Sequence, residues 1–464
     1  LRWSGASDPK KGFVGVPAVN LKTVSKISDN WFPQILDHLS RKKSYWKQRY
    51  FTNEQFFKSP GPIFLMIGGE AEANKVWMEK GTWLEYARQF GAACFLLEHR
   101  YYGRSHPVED LSVKNLKFLT SKQAIYDLAN FVKYLKARYN SSQVIVFGGS
   151  YAGNLAAWFR MKFPLLVGGA VSTSGPVLAK LNFEEYLGVV QVALGNECSQ
   201  HIKKAFLDIK KSLLSAEGCK NISRKFNSCK QIKCSEDNDV HNFMSNIADV
   251  FEDVVQYNKD NRDSYIKNIT VDVICSIMTN QTVGTPLTRL IKVVQMYNSA
   301  KKAKCLESSY DTMIANMRNI SWSSTAAEGG RQWTYQTCNE FGYFQSSDLP
   351  GNLFEGYFPL TFYIQQCEDI FGPKFSKTYI EKSVIKTNSF YHGLDVQQDN
   401  KTVFINGSRD PWHVLSVIDR TKCNVIVIKG TAHCANMYPE RQNDPPELKI
   451  ARKKVAKFID SCLK

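Results

Sequence analysis

Residues 144–153 constrain the fold more than any other part of the chain. Their sequence, VIVFGGSYAG, runs from a short apolar segment into two glycines, a serine and a helical pattern. This order is typical of a buried strand that turns sharply into a helix and presents the serine on the turn. The helix N-terminus behind Ser150 would stabilise negative charge on a reacting oxygen. Ser150 is therefore a candidate nucleophile.

The same segment departs from the usual G-x-S-x-G pattern at one position. Alanine stands at 152, where the pattern has glycine. Alanine is small enough to keep the close packing that the turn needs. A Gly-Gly-Ser turn without any chemistry remains the alternative, so residues elsewhere in the chain must decide between the two.

Short apolar runs recur around this segment and indicate a sheet. The helical spacing of apolar residues over 121–139 fits a crossover helix, which implies parallel neighbouring strands. A basic helix is predicted from Pro446 to the end of the chain. The predicted strands are the runs 62–67, 92–97, 144–147, 169–175, 402–405 and 424–428.

The middle of the chain has a different character. Between about 181 and 385 the sequence consists of long, lysine-rich, amphipathic segments with few β-branched runs. We interpret this part as a helical insertion. The prediction is an α/β-hydrolase core with a mostly parallel sheet, formed by residues 1–180 and 386–464, and a helical cap formed by residues 181–385.

A nucleophilic serine on such a turn needs a base and a carboxylate that orients the base. In the predicted fold these follow in the order Ser, Asp, His on loops after later strands. Asp410 comes five residues after the run 402–405, and His433 comes just after the run 424–428. None of the other histidines ends a late strand, and His413 is only three residues from Asp410. Asp410 and His433 therefore complete the predicted triad.

Two backbone N–H groups are expected to bind the oxyanion of the reaction. One is that of Tyr151, directly after the nucleophile, and the other belongs to the loop after the first predicted strand. In that loop the sequence Gly68-Gly69-Glu70 would let the backbone approach a substrate, and we select Gly69.

Charge and apolar content exclude several classes of partner. The formal charge is +17, but the basic residues occur in short scattered groups such as 41–43 and 452–454, which are typical of solvated helix faces. A nucleic-acid partner is therefore not expected. No apolar run reaches the roughly 18 residues of a membrane span. No metal or cofactor is expected, because no histidine joins the central cysteines at metal-ligand spacing.

The cysteines and glycosylation sequons favour the secretory pathway. Twelve cysteines occur without a C-x-x-C pair, and six of them crowd into the middle of the chain, where we expect structural disulfides. Cys94, inside an apolar run, is expected to be a buried free thiol. The sequon at Asn406 falls in a segment predicted to be buried. The expected acceptors are Asn140, Asn221, Asn268, Asn280, Asn319 and Asn400.

Several longer motifs resemble a known family along nearly the whole chain. The chain resembles the serine peptidases that include prolyl carboxypeptidase, the lysosomal dipeptidyl peptidase and the thymus-specific serine protease. The resemblance implies peptide substrates cleaved near proline or small residues, a secreted or lysosomal location and a homodimer. The histidine loop 432–436 is closest to the thymus-specific branch. The motifs are Asp37-His38, WKQRY at 46–50, IGGE at 67–70, EHRYYGRS at 98–105, GGSY at 148–151, WTYQTC at 333–338, Asn406-Gly407 and DPW at 410–412.

The same resemblance implies roles for three further positions. Glu70 corresponds to an acidic residue beside the oxyanion loop that could grip the free amino group of a peptide, and Trp412 corresponds to an aromatic wall for a proline ring. A structural role is the alternative for both. By analogy, Cys198 and Cys338 would form a disulfide.

Two alternatives to a peptidase remain open at this point. The same triad would serve an esterase, lipase or acyltransferase, because fold and triad do not fix the acyl group. A cap rich in Lys and Asn suits peptides better than lipids. The second alternative is a catalytically silent binding protein, although such proteins usually lose a triad residue and all three are present here.

Overall fold

The computed structural model of the protein describes residues 14–17, 27–140, 143–259, 264, 266–395, 400–419, 421 and 423–464. Within these ranges, eight strands form one sheet in the order β1-β2-β4-β3-β5-β6-β9-β10, and β7 and β8 form a short parallel pair. The strands are β1 Asn30–Ile35, β2 Tyr45–Asn53, β3 Ile63–Ile67, β4 Ala93–Leu97, β5 Val144–Gly149, β6 Gly169–Thr173, β7 Lys180–Asn182, β8 Gly342–Phe344, β9 Thr402–Gly407 and β10 Asn424–Ile428.

The large sheet is mostly parallel. All neighbours from β4 to β10 across the sheet are parallel, and β1 and β2 add an antiparallel edge. The six predicted strands are confirmed as β3, β4, β5, β6, β9 and β10. The antiparallel strands β1 and β2 were not predicted, because polar residues interrupt both of them and no continuous apolar run results. These residues are Asn30 and Gln34 in β1 and Lys47, Gln48 and Arg49 in β2.

Helices cover both faces of this sheet and fill the interval between β6 and β9. The predicted crossover helix is confirmed as α3, and the predicted closing helix is confirmed as α15. The helices are α1 Thr82–Phe90, α2 Val113–Leu116, α3 Ser121–Arg138, α4 Tyr151–Lys162, α5 Glu185–Leu194, α6 Asn196–Ser212, α7 Ala216–Lys225, α8 Asp237–Gln256, α9 Val271–Thr279, α10 Pro286–Ala300, α11 Tyr310–Arg318, α12 Gly330–Gln336, α13 Leu360–Phe371, α14 Lys377–Tyr391 and α15 Pro446–Leu463.

The alternation of side chains along β5 divides the core between the two faces of the sheet. Val144 and Val146 join the cluster that packs against α3 and α4, whereas Ile145 and Phe147 join the cluster beneath α1 and α15. A strand that is apolar on both faces needs helices on both sides. This mostly parallel sheet between two helical layers is the α/β-hydrolase fold.

The segment predicted as the cap, residues 181–385, packs directly on the sheet and its helices. One hydrophobic cluster extends from the α3–α4 face of the sheet into the cap and includes Phe206, Phe251 and Ile380. The boundaries 1–180, 181–385 and 386–464 stay predictions. None of the helices in the described part of the chain is long and apolar enough to cross a membrane.

Four disulfides hold the helical part of the chain. The six central cysteines pair as Cys198–Cys275, Cys219–Cys234 and Cys229–Cys305, and Cys338 pairs with Cys367. The expected bridge between Cys198 and Cys338 is therefore wrong. Cys198 on α6 faces Cys275 on α9, with the Cα atoms 5.3 Å apart, and Cys338 faces α13 instead. Cys94 is a buried free thiol, as predicted.

The sequon asparagines lie on the surface for the most part. Asn221 is half-buried, and its five companions Asn140, Asn268, Asn280, Asn319 and Asn400 are exposed. Asn406 is buried at the end of β9, where a glycan has no room. Glycosylation of the six predicted acceptors remains a prediction.

A buried ion pair ties the α3 layer to the sheet. The Nε and Nη2 atoms of Arg100 each donate to a carboxylate oxygen of Asp127 at 2.6 Å, and His38 Nε2 contacts the same carboxylate at 2.7 Å. We expect Asp127→Ala to lower the free energy of unfolding by about 3–5 kcal/mol, because it leaves the Arg100 charge buried without a counter-ion.

Urea denaturation measures this loss. Asp460→Ala is the control, because Asp460 pairs with Lys464 on the surface of α15 and its loss should leave the urea midpoint unchanged. If the Asp127→Ala variant had the same urea midpoint as the control, the ion pair between Arg100 and Asp127 would not stabilise the fold as we expect.

Candidate active site

Ser150 lies on a strained turn between β5 and α4. Its backbone has φ 57° and ψ −132°, a conformation that residues with a side chain rarely adopt. The Ser150 N–H donates to the Thr173 carbonyl at 2.9 Å, which fixes the turn against β6. A Cβ atom at Gly148 would overlap the Ala152 carbonyl oxygen, so only glycine fits there. The backbone therefore has the geometry of a nucleophile elbow.

Asp410 and His433 meet on loops that follow β9 and β10. Asp410 Oδ2 accepts a hydrogen bond from His433 Nδ1 at 2.8 Å, and Oδ1 accepts one from the Trp412 backbone N–H at 3.0 Å. Both residues are buried. When the imidazole is neutral, this arrangement keeps its proton on Nδ1 and leaves Nε2 as an acceptor.

The histidine loop packs against the serine turn. The Cys434 N–H donates to Ser174 Oγ at 3.0 Å, and Cys434 Sγ would lie 3.2 Å from a Cβ atom at Gly149. Ser150 and His433 are each 1% exposed. Among the described residues, neither Ser150 Oγ nor His433 Nε2 has a hydrogen-bond partner, so the two atoms are not hydrogen-bonded to each other and both can accept a bond from, or donate one to, a substrate.

The electrostatic surroundings of His433 favour its charged form. Burial alone would lower the pKa of His433, but the charge of Asp410, the neighbouring Cys434 and the hydrogen bond that His433 donates to Asp410 raise that pKa well above the usual value. An imidazolium that forms when His433 takes a proton is therefore stabilised in place.

The two predicted oxyanion residues belong to adjoining segments. Gly69 faces the first turn of α4, where a Cβ atom on it would be 3.5 Å from the Ala152 Cβ atom. Even this added atom would be at an ordinary van der Waals distance, so alanine at 152 does not crowd the loop after β3. The Tyr151 hydroxyl accepts from Gln336 Nε2 at 3.0 Å and bonds to His99 Nε2 at 3.1 Å, which anchors the start of α4 to the cap.

The Glu70 carboxyl lies close to Ser150 and His433. Glu70 is 2% exposed, and burial raises the pKa of its carboxyl to about 7, against its own backbone N–H and the charge of His433. The Ser150 hydroxyl also favours the charged form, although it lies outside full hydrogen-bond geometry. Glu70 and Gly69 line a small cavity of about 70 Å³ that is partly open to solvent. A positive group in this cavity would stabilise the Glu70 carboxylate.

Trp412 is enclosed by aromatic side chains. Its ring is 0% exposed, and its centroid lies 5.3 Å from that of Phe183, 5.7 Å from that of Tyr186 and 5.4 Å from that of Tyr343. The role of Trp412 as a wall for a proline ring stays a prediction, and a substrate would have to separate these rings to reach it.

Gln256 was not predicted, although it contacts both loops that carry the predicted acid and base. Gln256, the last residue of α8, accepts the His433 backbone N–H on its carbonyl oxygen at 2.9 Å. Its side-chain Oε1 accepts from Trp412 Nε1 at 2.8 Å. No motif marks Gln256, because it lies in the cap and its role depends on tertiary contact alone.

The sequence matches one family over most of its length. Residues 34–455 match the family described as serine carboxypeptidase S28. The chain belongs to the S28 family of serine peptidases. A Caenorhabditis elegans S28 relative, named as a serine protease, is 36% identical over 449 residues, which are 93% of this chain and 87% of the relative.

Two further S28 relatives carry more specific names. The human thymus-specific serine protease is 33% identical over 454 residues, covering 94% of this chain and 86% of the relative. The bovine lysosomal Pro-X carboxypeptidase is 26% identical over 461 residues, covering 94% of this chain and 87% of the relative. The resemblance found in the motifs is thus confirmed at the level of the family.

Proposed function

We propose that the protein is an exopeptidase that hydrolyses peptide bonds near proline or small residues, with Ser150 as nucleophile, His433 as general base and Asp410 as the orienting carboxylate. The observation that carries this proposal is the hydrogen bond of His433 to Asp410 beside a serine on a strained turn. Membership of the S28 family supports peptides as the substrate class.

The proposed reaction proceeds through an acyl-enzyme. Ser150 Oγ attacks the scissile carbonyl carbon while its proton moves to His433 Nε2, and the backbone N–H groups of Tyr151 and Gly69 bind the oxyanion. The C–N bond then breaks, and His433 gives the proton to the leaving amine. Water then attacks the acyl carbon while His433 takes a proton from it. The C–O bond to Ser150 breaks, and His433 returns the proton to Ser150 Oγ.

The enclosure of the site supports an exopeptidase. Ser150 and His433 are almost fully buried beneath the cap, so a loop of a folded protein would not reach them. A chain terminus needs only a narrow entrance. The carboxylate of Glu70 beside Ser150 favours a positively charged terminus, and we therefore propose that the enzyme removes residues from the amino end.

The first test of the amino-end proposal is Glu70→Gln. We expect the KM of peptides with a free amino group to rise about 10- to 100-fold, because a hydrogen bond to a charged group contributes roughly 1.5–3 kcal/mol. Peptides with an acetylated amino group should bind wild type and variant equally. Steady-state kinetics on both peptide sets checks the result, with Glu72→Gln, which lines the same cavity, as the matched control.

The pH dependence of KM provides a second test of the role of Glu70. Because the pKa of Glu70 is about 7, its carboxylate forms as the pH rises through 7. The KM for free peptides should therefore fall between about pH 6 and 7.5, before the peptide amine itself deprotonates. A KM that is flat over this range, or that falls equally for acetylated peptides, would contradict the role of Glu70.

We also propose a secreted or lysosomal location. Four disulfides indicate folding in an oxidising compartment, and most of the predicted glycan acceptors are exposed. The name of the bovine relative refers to the lysosome, which agrees with this proposal.

Mass spectrometry of products from a peptide library tests the proposed function. The library carries proline and alanine near both ends and is digested by wild type and by Ser150→Ala across acidic to neutral pH. Dipeptides released from the amino end by wild type alone are the expected result. Single residues released from the carboxyl end would establish a carboxypeptidase, and no cleavage at any pH would exclude the peptidase and favour an esterase or a silent binding protein.

A further inference from the structure

The contacts of Gln256 close a ring of hydrogen bonds through both catalytic loops. Gln256 Oε1 accepts from Trp412 Nε1 at 2.8 Å, and the Trp412 backbone N–H donates to Asp410 Oδ1 at 3.0 Å. His433 Nδ1 donates to Asp410 Oδ2 at 2.8 Å, and the His433 backbone N–H returns to the Gln256 carbonyl at 2.9 Å. The ring therefore joins the cap, the acid loop and the base loop.

Each member of this ring is buried. Gln256 is 3% exposed, and Trp412, Asp410 and His433 are buried at least as deeply. A buried polar atom that loses its partner costs roughly 1–3 kcal/mol, because water cannot replace the lost bond. The ring can therefore relax only through movement of a loop, and that movement would change the position of Asp410 or His433.

The end of α8 explains why Gln256 can serve both loops. The last carbonyl groups of a helix have no partner within the helix, so the Gln256 carbonyl is available to the His433 N–H. The side chain extends to the acid loop, where Oε1 also accepts from the Tyr186 hydroxyl at 2.7 Å. The two bonds to Oε1 fix the orientation of the amide, and Tyr186 on α5 adds a second anchor in the cap.

We propose that Gln256 is a positioning residue that holds the acid loop and the base loop in the geometry needed for proton transfer. No hydrogen bond joins Gln256 to Ser150 in the described part of the chain, and we propose that it acts through Trp412 and His433. The proposal rests on the proposed function of the Ser150 site. It makes the cap a part of the catalytic machinery, because without α8 neither loop would keep its partner.

Three variants separate this role from a general contribution to folding. Gln256→Met keeps the size of the side chain but offers Trp412 Nε1 only a weakly accepting sulfur, whereas Gln256→Glu retains an acceptor oxygen. Gln332→Met is the matched control, since Gln332 on α12 is fully buried and its Nε2 donates to two carbonyls, those of Tyr101 at 3.0 Å and Ala327 at 2.7 Å.

We expect Gln256→Met to lower kcat by about 10- to 100-fold with KM nearly unchanged, because small displacements of catalytic groups have effects of that size. Gln256→Glu should recover most of the lost kcat. Gln332→Met should lower the melting temperature about as much as Gln256→Met does, but without the loss in kcat. Equal kcat in Gln256→Met and Gln332→Met, or a loss that appears only in KM, would overturn the proposal.

A spectroscopic measurement keeps the result independent of peptide hydrolysis. The low-field proton NMR signal of the His433 Nδ1–H group, assigned by its absence in His433→Gln, reports the bond to Asp410 without a substrate. It should shift or broaden in Gln256→Met and remain in Gln256→Glu and Gln332→Met. An unchanged signal in Gln256→Met would overturn the positioning role, whereas failure of wild type to cleave any peptide would overturn the proposed function alone.

Discussion

Ser150→Ala should lower kcat/KM for peptide hydrolysis by about 10⁴- to 10⁶-fold, because no acyl-enzyme can form without the Oγ atom. The remaining activity would come from oxyanion binding and substrate positioning alone. Product formation by wild type and variant over the same pH range measures the difference. No other single substitution in the chain should have a larger effect on activity.

The fold should tolerate this change. Ser150 Oγ has no hydrogen-bond partner among the described residues, so its removal breaks no contact, and the variant should melt at the temperature of wild type. A folded Ser150→Ala protein that keeps more than about one hundredth of the wild-type rate would contradict the assignment of the nucleophile, since the loss would be far below that of a removed nucleophile.

Asp410→Asn should lower kcat by about 10⁴-fold while the fold persists. The Asn amide donates where the carboxylate accepted, so the bond to His433 is kept only when the imidazole proton moves from Nδ1 to Nε2. An Nε2 that already carries a proton cannot accept the proton of Ser150. The steady-state kcat of the purified variant checks this result, and Asp395→Asn, on the surface between α14 and β9, is the control that should retain the wild-type rate.

The same variant should shift the pH profile in a defined direction. In wild type, burial lowers the pKa of His433 but Asp410 and Cys434 outweigh it and raise this pKa. The rate rises with pH as His433 becomes neutral, so loss of the Asp410 charge should move the acidic limb of the residual activity to lower pH. A limb that stays in place or moves to higher pH would show that Asp410 is not the main charge acting on His433.

The core of the fold and the candidate site could be predicted because their signals are local. The six continuous apolar runs correspond to strands of the parallel sheet, and every one except the edge strand β10 is buried along its whole length. The loop residues that we propose for the chemistry follow these strands directly. The order of Ser150, Asp410 and His433 along the chain reflects the order in which those strands enter the sheet. The hydrogen bond between Asp410 and His433 agrees with that order.

Features that depend on tertiary contact could not be predicted. Polar residues interrupt the antiparallel strands β1 and β2, so neither has a continuous apolar run, and the Cys198 partner depends on which helices pack together. Gln256 has no sequence signal, because its role comes from the approach of α8 to two loops that are more than 150 residues further along the chain. Contacts between segments so far apart in the sequence become visible only in the folded structure.

Covalent labelling of Ser150 is the most direct test of its proposed role as the nucleophile. A fluorophosphonate transfers its phosphonyl group to a serine Oγ that is activated by a neighbouring base, with loss of fluoride, and mass spectrometry of the digested protein locates the adduct. We expect one adduct on Ser150 in wild type, with loss of peptide hydrolysis in proportion to that adduct. Labelling should be slower in Asp410→Asn and absent in Ser150→Ala. An adduct on a different residue, or full hydrolysis by protein whose Ser150 is completely modified, would contradict that role.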